Sequence, residues 1–259
     1  LIAALWEHKR EPWFFNSGGE GSGIHITYDG GENWKKINPQ DGLPEGDLGR
    51  IGLAIAPNKP HIVYALVEAK KNGLYKSIDG GHKWEKVSEN MDEIGNRPFY
   101  YADLYVDPKN ENVIYKGGLS GSVSKDGGKT WENIEGSNKH VDNHAIWMNP
   151  DDPNHYIMGC DGGIYETYDG AKTWQFANNL PITQYYHVRT DNDYPFYNVY
   201  GGAQDNGTYL INFKGNAPAG KVSKMGTSIY AGDGFDVEFS KFTRSKTKFT
   251  RSSICSSDC

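Results

Sequence analysis

Cysteine is scarce in this sequence, and so are long apolar runs, charge of one dominant sign and the short motifs of nucleotide or serine-triad chemistry. Its 259 residues hold three cysteines, Cys160, Cys255 and Cys259. They are too few and too unevenly placed for a disulfide framework or a zinc cluster. Cys160 is expected to pack as a small apolar residue. No stretch approaches the ~18 apolar residues of a membrane-crossing helix, so no integral membrane segment is expected. A net charge of -6 leaves no basic field to hold a phosphate backbone, which argues against nucleic acid as a partner. G-x-S-x-G, P-loop, dinucleotide and H-E-x-x-H patterns are all missing, so no cofactor is expected.

What is present points to strands. Hydrophobic residues make up 37%, aromatics 13%, and there are 32 glycines, 17 tyrosines and 7 tryptophans, a composition of short strands, tight turns and aromatic packing. One pattern occurs four times: TYDGGENW from Thr27, SIDGGHKW from Ser77, SKDGGKTW from Ser124 and TYDGAKTW from Thr167. The pairs Asp29 and Trp34, Asp79 and Trp84, Asp126 and Trp131, Asp169 and Trp174 stand at equivalent positions. Their spacing is that of four-stranded propeller blades.

A second motif keeps step. APNKPHIVYAL (56–66), DPKNENVIYKG (107–117), NPDDPNHYIMG (149–159) and the looser RTDNDYPFYNVYGG (189–202) each place a polar turn before an apolar strand. Each unit is thus a four-stranded antiparallel meander. One such sheet cannot bury both faces alone, whereas blades packed in series bury each against its neighbours. The expected fold is an all-β propeller of about five blades, part of a larger one, over residues 1–240. A basic, Ser-rich tail at 241–259 is expected to be disordered or aberrant.

In each Asp-Gly hairpin the Asp can accept the turn's own amides, Gly supplies positive φ, and the Ser/Thr hydroxyl bridges the turn. These residues therefore carry a structural role, one that a ring of blades needs repeatedly.

These repeats resemble the Asp-box, or bacterial neuraminidase repeat, of sialidases, sortilin-type propellers, xyloglucan-hydrolysing glycosidases and a photosystem II assembly factor. Asp142 to Tyr209 and GDLGRIGLAIAP (46–57) resemble sortilin N-terminal-domain or glycosyl-hydrolase-like repeat proteins of bacteria. The resemblance implies a propeller and an extracytoplasmic, secreted or periplasmic location. It implies fold more than activity, because propellers serve as hydrolases, binders and scaffolds. Ala171 replaces a box glycine, and the fifth unit, GGAQDNGTYLINFKG, has no box. A sialidase would need three Arg and a Tyr nucleophile, and only Arg50 is well placed.

Residues entering the innermost strand of each blade line one end of a propeller. Registering the units on Pro57, Pro108, Pro150 and Asp191 puts Arg50, Tyr101, Asn143 and Tyr185 at equivalent entry positions, with Tyr100, Asp142, His144 and Gln184 beside them. Such variation suits either a ligand funnel or unconstrained loop ends. His140, Asp142 and His144 alternate, which suits either a metal site or a hydrogen-bond network with His144 near the core; no metal is expected. A glycosidase needs two carboxylates; Asp142 is the first candidate, with Asp103, Asp205 or Asp233 as its partner, although Asp205 registers with Asp161 as a hairpin turn. The readings carried forward are a scaffold binding glycan or peptide, a polysaccharide hydrolase using Asp142, and an assembly factor for a membrane or secreted complex. Open blade edges imply some self-association.

Overall fold

The computed structural model describes residues 1–90, 95, 97–180, 183–192, 197–212, 227–230, 234, 238–239 and 247–248. Asp233 and nearly all of the tail lie outside these residues. Contacts divide the chain into two compact units, Leu1–Phe176 and Ala177–Cys259.

Among the described residues the first unit holds one three-stranded and three four-stranded sheets in chain order, with a two-stranded hairpin inserted in the first. In the first, β1 (Ile2–Leu5) is followed by an inserted hairpin of β2 (His8–Glu11) and β3 (Phe14–Ser17), then by β4 (Gly23–Ile26) and β5 (Lys35–Lys36), in spatial order β1-β4-β5. The other three are four-stranded antiparallel meanders: β6 (Ile51–Ile55), β7 (Val63–Val67), β8 (Gly73–Ser77) and β9 (Glu85–Ser88); β10 (Leu104–Val106), β11 (Ile114–Lys116), β12 (Ser122–Ser124) and β13 (Glu132–Asn133); β14 (Asn143–Met148), β15 (Tyr156–Cys160), β16 (Gly163–Thr167) and β17 (Gln175–Phe176). These are the blades expected from the repeat.

The second sheet is buried on both faces along β7, and this shows why the sequence VYALV is apolar throughout. Alternate side chains of a strand point to opposite faces. Val63, Ala65 and Val67 pack with Ile24, Ile26 and Ile37 of the preceding sheet, while Tyr64 and Leu66 pack with Leu104, Val106 and Ile114 of the following one. A third cluster joins Tyr115, Val123 and Ile134 to Tyr156, Met158 and Trp174. The core is therefore a series of layers between blades.

The Asp-boxes lock the outer strands. In each, the Ser/Thr hydroxyl donates to the Asp carboxylate, at 2.7 Å in the first two boxes, 2.8 Å in the third and 2.9 Å in the fourth. The same oxygen accepts the amide four residues on, at Gly31, Gly81, Gly128 and Ala171. All four hydroxyl residues are buried, where an unpaired polar group would be costly. Gly128, at φ +95, also faces the preceding sheet so closely that a Cβ would overlap Leu74. Ala171 holds the equivalent left-handed turn at φ 71, and its methyl belongs to the third core cluster.

The tryptophans do not behave alike. Trp84 and Trp131 donate to their own box carbonyls, Gly81 and Gly128, as expected of residues returning over the hairpin. Trp174 instead donates to Ile134 O of the preceding sheet, and Trp34 is 44% exposed.

In the second unit β18 (His187–Thr190), β19 (Asn198–Ala203), β20 (Gly207–Asn212) and β21 (Thr227–Tyr230) form one four-stranded antiparallel sheet, and β22 (Glu238–Phe239) pairs with β23 (Thr247–Lys248). Asp191 accepts from the Asn198 amide and the Tyr200 hydroxyl, which ties the end of β18 to β19.

Candidate functional site

The strand-entry positions of the first unit lie at one end of its sheets. There the chain reaches the inner strand just where the second strand leaves it, since Ile51 pairs with Val67 and Asn143 with Cys160. Two turns build the centre of this end. The carbonyl of Arg97 accepts the amides of Tyr100 and Tyr101, so that both rings leave one tight turn. Across from them, Asp142 adopts a left-handed φ of 64 before β14, and its carbonyl accepts the Asp161 amide.

The side chains then interlock. The Tyr101 hydroxyl donates to Asp142 Oδ1, and His144 Nε2 lies 3.0 Å from Asp161 Oδ1. Burial first, and then the neighbouring Asp142 carboxylate, raises the Tyr101 phenol above its ordinary value, so it stays protonated and donates. The rings of Tyr100 and Tyr101 meet edge to face at 5.0 Å, and Tyr101 and His144 at 5.6 Å. Carboxylate oxygens of Asp142 and Asp161 lie within 4.8 Å of one another. Tyr100 remains 43% exposed and the His144 side chain 42%.

Arg50 is a strut at this end. Its guanidinium donates to the carbonyls of Phe99 and Tyr100, at 3.3 and 3.1 Å, and sits 5.6 Å from the Trp6 ring. The same aromatic surface continues into the β2–β3 hairpin, where Phe15 meets Phe99 at 5.2 Å.

Several expectations need correction. Asn143 is not at a ligand surface: it is wholly buried. Its amide donates to Glu135 Oε2 at 2.9 Å and to Gly118 O at 3.2 Å, and its oxygen accepts from Lys139. Lys139 also pairs with Glu135 at 2.6 Å, so a satisfied buried network holds the turn that carries Asp142. His144 is exposed rather than near the core, because a bulge between Asn143 and Ala145 turns it outward. The same bulge and the left-handed Asp142 break the alternation on which the His140, Asp142, His144 set relied. His140 instead contacts the carbonyl of Val141.

In the second unit Gln184 is exposed and Tyr185 half-buried, the latter ring so close over Gly201 that a Cβ there would clash at 2.6 Å. Asp205 occupies the turn between β19 and β20 at φ 52, the hairpin position its register suggested. Asp161 was read from sequence only as a hairpin turn, and Glu135, Lys139 and the inserted hairpin were not singled out. The Pro-Trp turn within HKREPWFFNS signalled the last of these.

Residues 53–199, more than half of the chain, match the family described as photosynthesis system II assembly factor YCF48. The chain belongs to that family of Asp-box propellers. It is 26% identical over 172 residues to a probable oligoxyloglucan-reducing end-specific xyloglucanase of Neosartorya fischeri, a match covering 60% of this chain and 21% of that protein. Over 79 residues it is 34% identical to vacuolar protein sorting/targeting protein 10 of Penicillium rubens, covering 29% of this chain and 5% of that one. Among solved structures, a GH74 xyloglucanase from Xanthomonas campestris aligns over 79% of this chain and 36% of its own, at 16% identity and a TM-score of 0.48. YCF48 bound to D1 peptide aligns over 78% and 96%, at 12% identity and a TM-score of 0.35. The chain thus spans about a fifth of the length of its xyloglucanase relative. No helix of the described residues is long and apolar enough to cross a membrane.

Proposed function

We propose that this chain is a binding scaffold whose aromatic end in the first unit holds a glycan or a peptide. One observation carries the reading: Tyr101 and His144 present partly exposed rings whose polar edges are fixed by Asp142 and Asp161, and Tyr100 meets Tyr101 edge to face beside them. Rings held in place lose little freedom on binding, and their faces stack on sugar rings or side chains. The relatives supply both ligand classes, a polysaccharide in the name of the xyloglucanase and a peptide in the description of the YCF48 complex.

The test is affinity for xyloglucan oligosaccharides and for a panel of peptides, measured by calorimetry. Tyr100→Ala is expected to weaken binding by about tenfold, the loss of roughly one stacking contact, and Asp142→Asn to change it modestly. Unaltered affinity in both Tyr100→Ala and Tyr101→Ala would sink the proposal.

A second reading, polysaccharide hydrolysis, draws on the proximity of the Asp142 and Asp161 carboxylates, since retaining glycosidases place two carboxyl groups about 5 Å apart. It makes a different forecast for the same variant: Asp142→Asn would abolish turnover while leaving binding intact.

A further inference from the structure

A second concave site lies toward the outer strands of the second sheet. A cavity of about 470 Å³ opens between the chain at Leu43–Glu45 and the connection from β7 to β8, a volume within the range of small-molecule pockets. Its walls are pre-formed. A 3-10 turn at Pro39–Asp41 ends on Gly42 at φ 101; a side chain there would overlap the Trp84 carbonyl. The Trp84 amide donates to Asp41 O at 2.7 Å, and Lys83 pairs with Asp41 at 2.7 Å. On the opposite wall the Ala69 amide donates to Asn72 Oδ1 at 3.0 Å.

The lining is amphipathic. Leu43, Pro44 and the buried Tyr75 give an apolar floor, and three cations, Lys70, Lys71 and Lys86, stand around it against one carboxylate, Glu45. Lys86 is engaged by Glu89 at 2.9 Å. Lys70 and Lys71 are exposed, and neither makes a hydrogen bond or ion pair among the described residues. Lys71 acts electrostatically on Glu89, and it and Lys70 leave two exposed ammonium groups beside an apolar floor, which match a small ring that carries a negative charge on its edge.

We propose that this cavity is a second ligand site, for an anionic sugar residue such as a hexuronate. The ring's apolar face lies against Pro44, and its carboxylate meets Lys70 and Lys71. This site is independent of the aromatic end and stands whether or not that end binds.

The experiment titrates the whole chain with trigalacturonate, with a neutral xyloglucan oligosaccharide and with inorganic sulfate, reading chemical shifts around Ala69 and Tyr75. Trigalacturonate is expected to bind, and the Lys70→Ala/Lys71→Ala double variant to weaken it at least tenfold without lowering the melting temperature, because both side chains are exposed and unpaired. Sulfate should bind far more weakly, and the neutral sugar should leave these shifts unmoved. Failure of trigalacturonate to bind, or equal affinity in the double variant, would overturn the proposal. Sulfate binding as tightly as trigalacturonate would reduce the site to a simple anion contact and overturn the sugar assignment.

Discussion

At Asp126 and Asp169 the carboxylate works within five residues of itself. The Thr130 hydroxyl and then the Thr130 amide hold Asp126 down to about 2, and Thr173 does the same for Asp169. Both groups titrate below their ordinary value of 3.8, so the stability they contribute is fully present above that value and is lost as pH falls through the folded value. Melting temperature is therefore expected to drop between about pH 4 and pH 2, and the drop should shrink in Asp126→Asn, whose side chain cannot titrate. An identical acid profile in that variant would contradict the box's role. This chemistry was legible in SKDGGKTW because every partner lies inside the eight-residue motif. Trp34 and Trp174 were not, since their surroundings depend on the adjoining sheet, which no local pattern reports. Asn143 was misplaced for a related reason: the strand entry was found by register, but whether its side chain faces ligand or core is decided by Glu135 and Lys139, in a loop with no periodic signal.

Among the elements, the turn from Lys139 to Asn143 matters most for the site. Lys139 is wholly buried at its side chain and pairs with Glu135, and Asn143 closes the network. Removing one member of a buried pair strands the other, at a cost of about 3–5 kcal/mol. Lys139→Met should accordingly lower the melting temperature by roughly 6–20 °C, and adding Glu135→Leu should restore much of it. A single variant as stable as the parent would show that the network does not hold the turn. The strands themselves were legible through their periodicity and Pro-led turns. The β2–β3 hairpin was not read because it interrupts the repeat inside the first sheet, and Asp161 was read only as a hairpin turn because it is the pairing of β14 with β15 that returns it to Asp142.

For the whole molecule, the layered core explains why one repeat can carry unlike sites. Stability comes from the faces between successive sheets and from the boxes at their outer strands, which leaves the strand entries and connecting turns free to differ. The first unit uses that freedom twice, once in an aromatic end and once in a lysine-rimmed cavity. The central claim is that the aromatic end binds without cleaving. It is tested most directly by incubating the folded chain with xyloglucan and a panel of other polysaccharides, following retained glycan and new reducing ends together, with Tyr100→Ala in parallel. Retention without new reducing ends, diminished in Tyr100→Ala, is the predicted result; new reducing ends that disappear in Asp142→Asn would contradict it and make the chain a hydrolase.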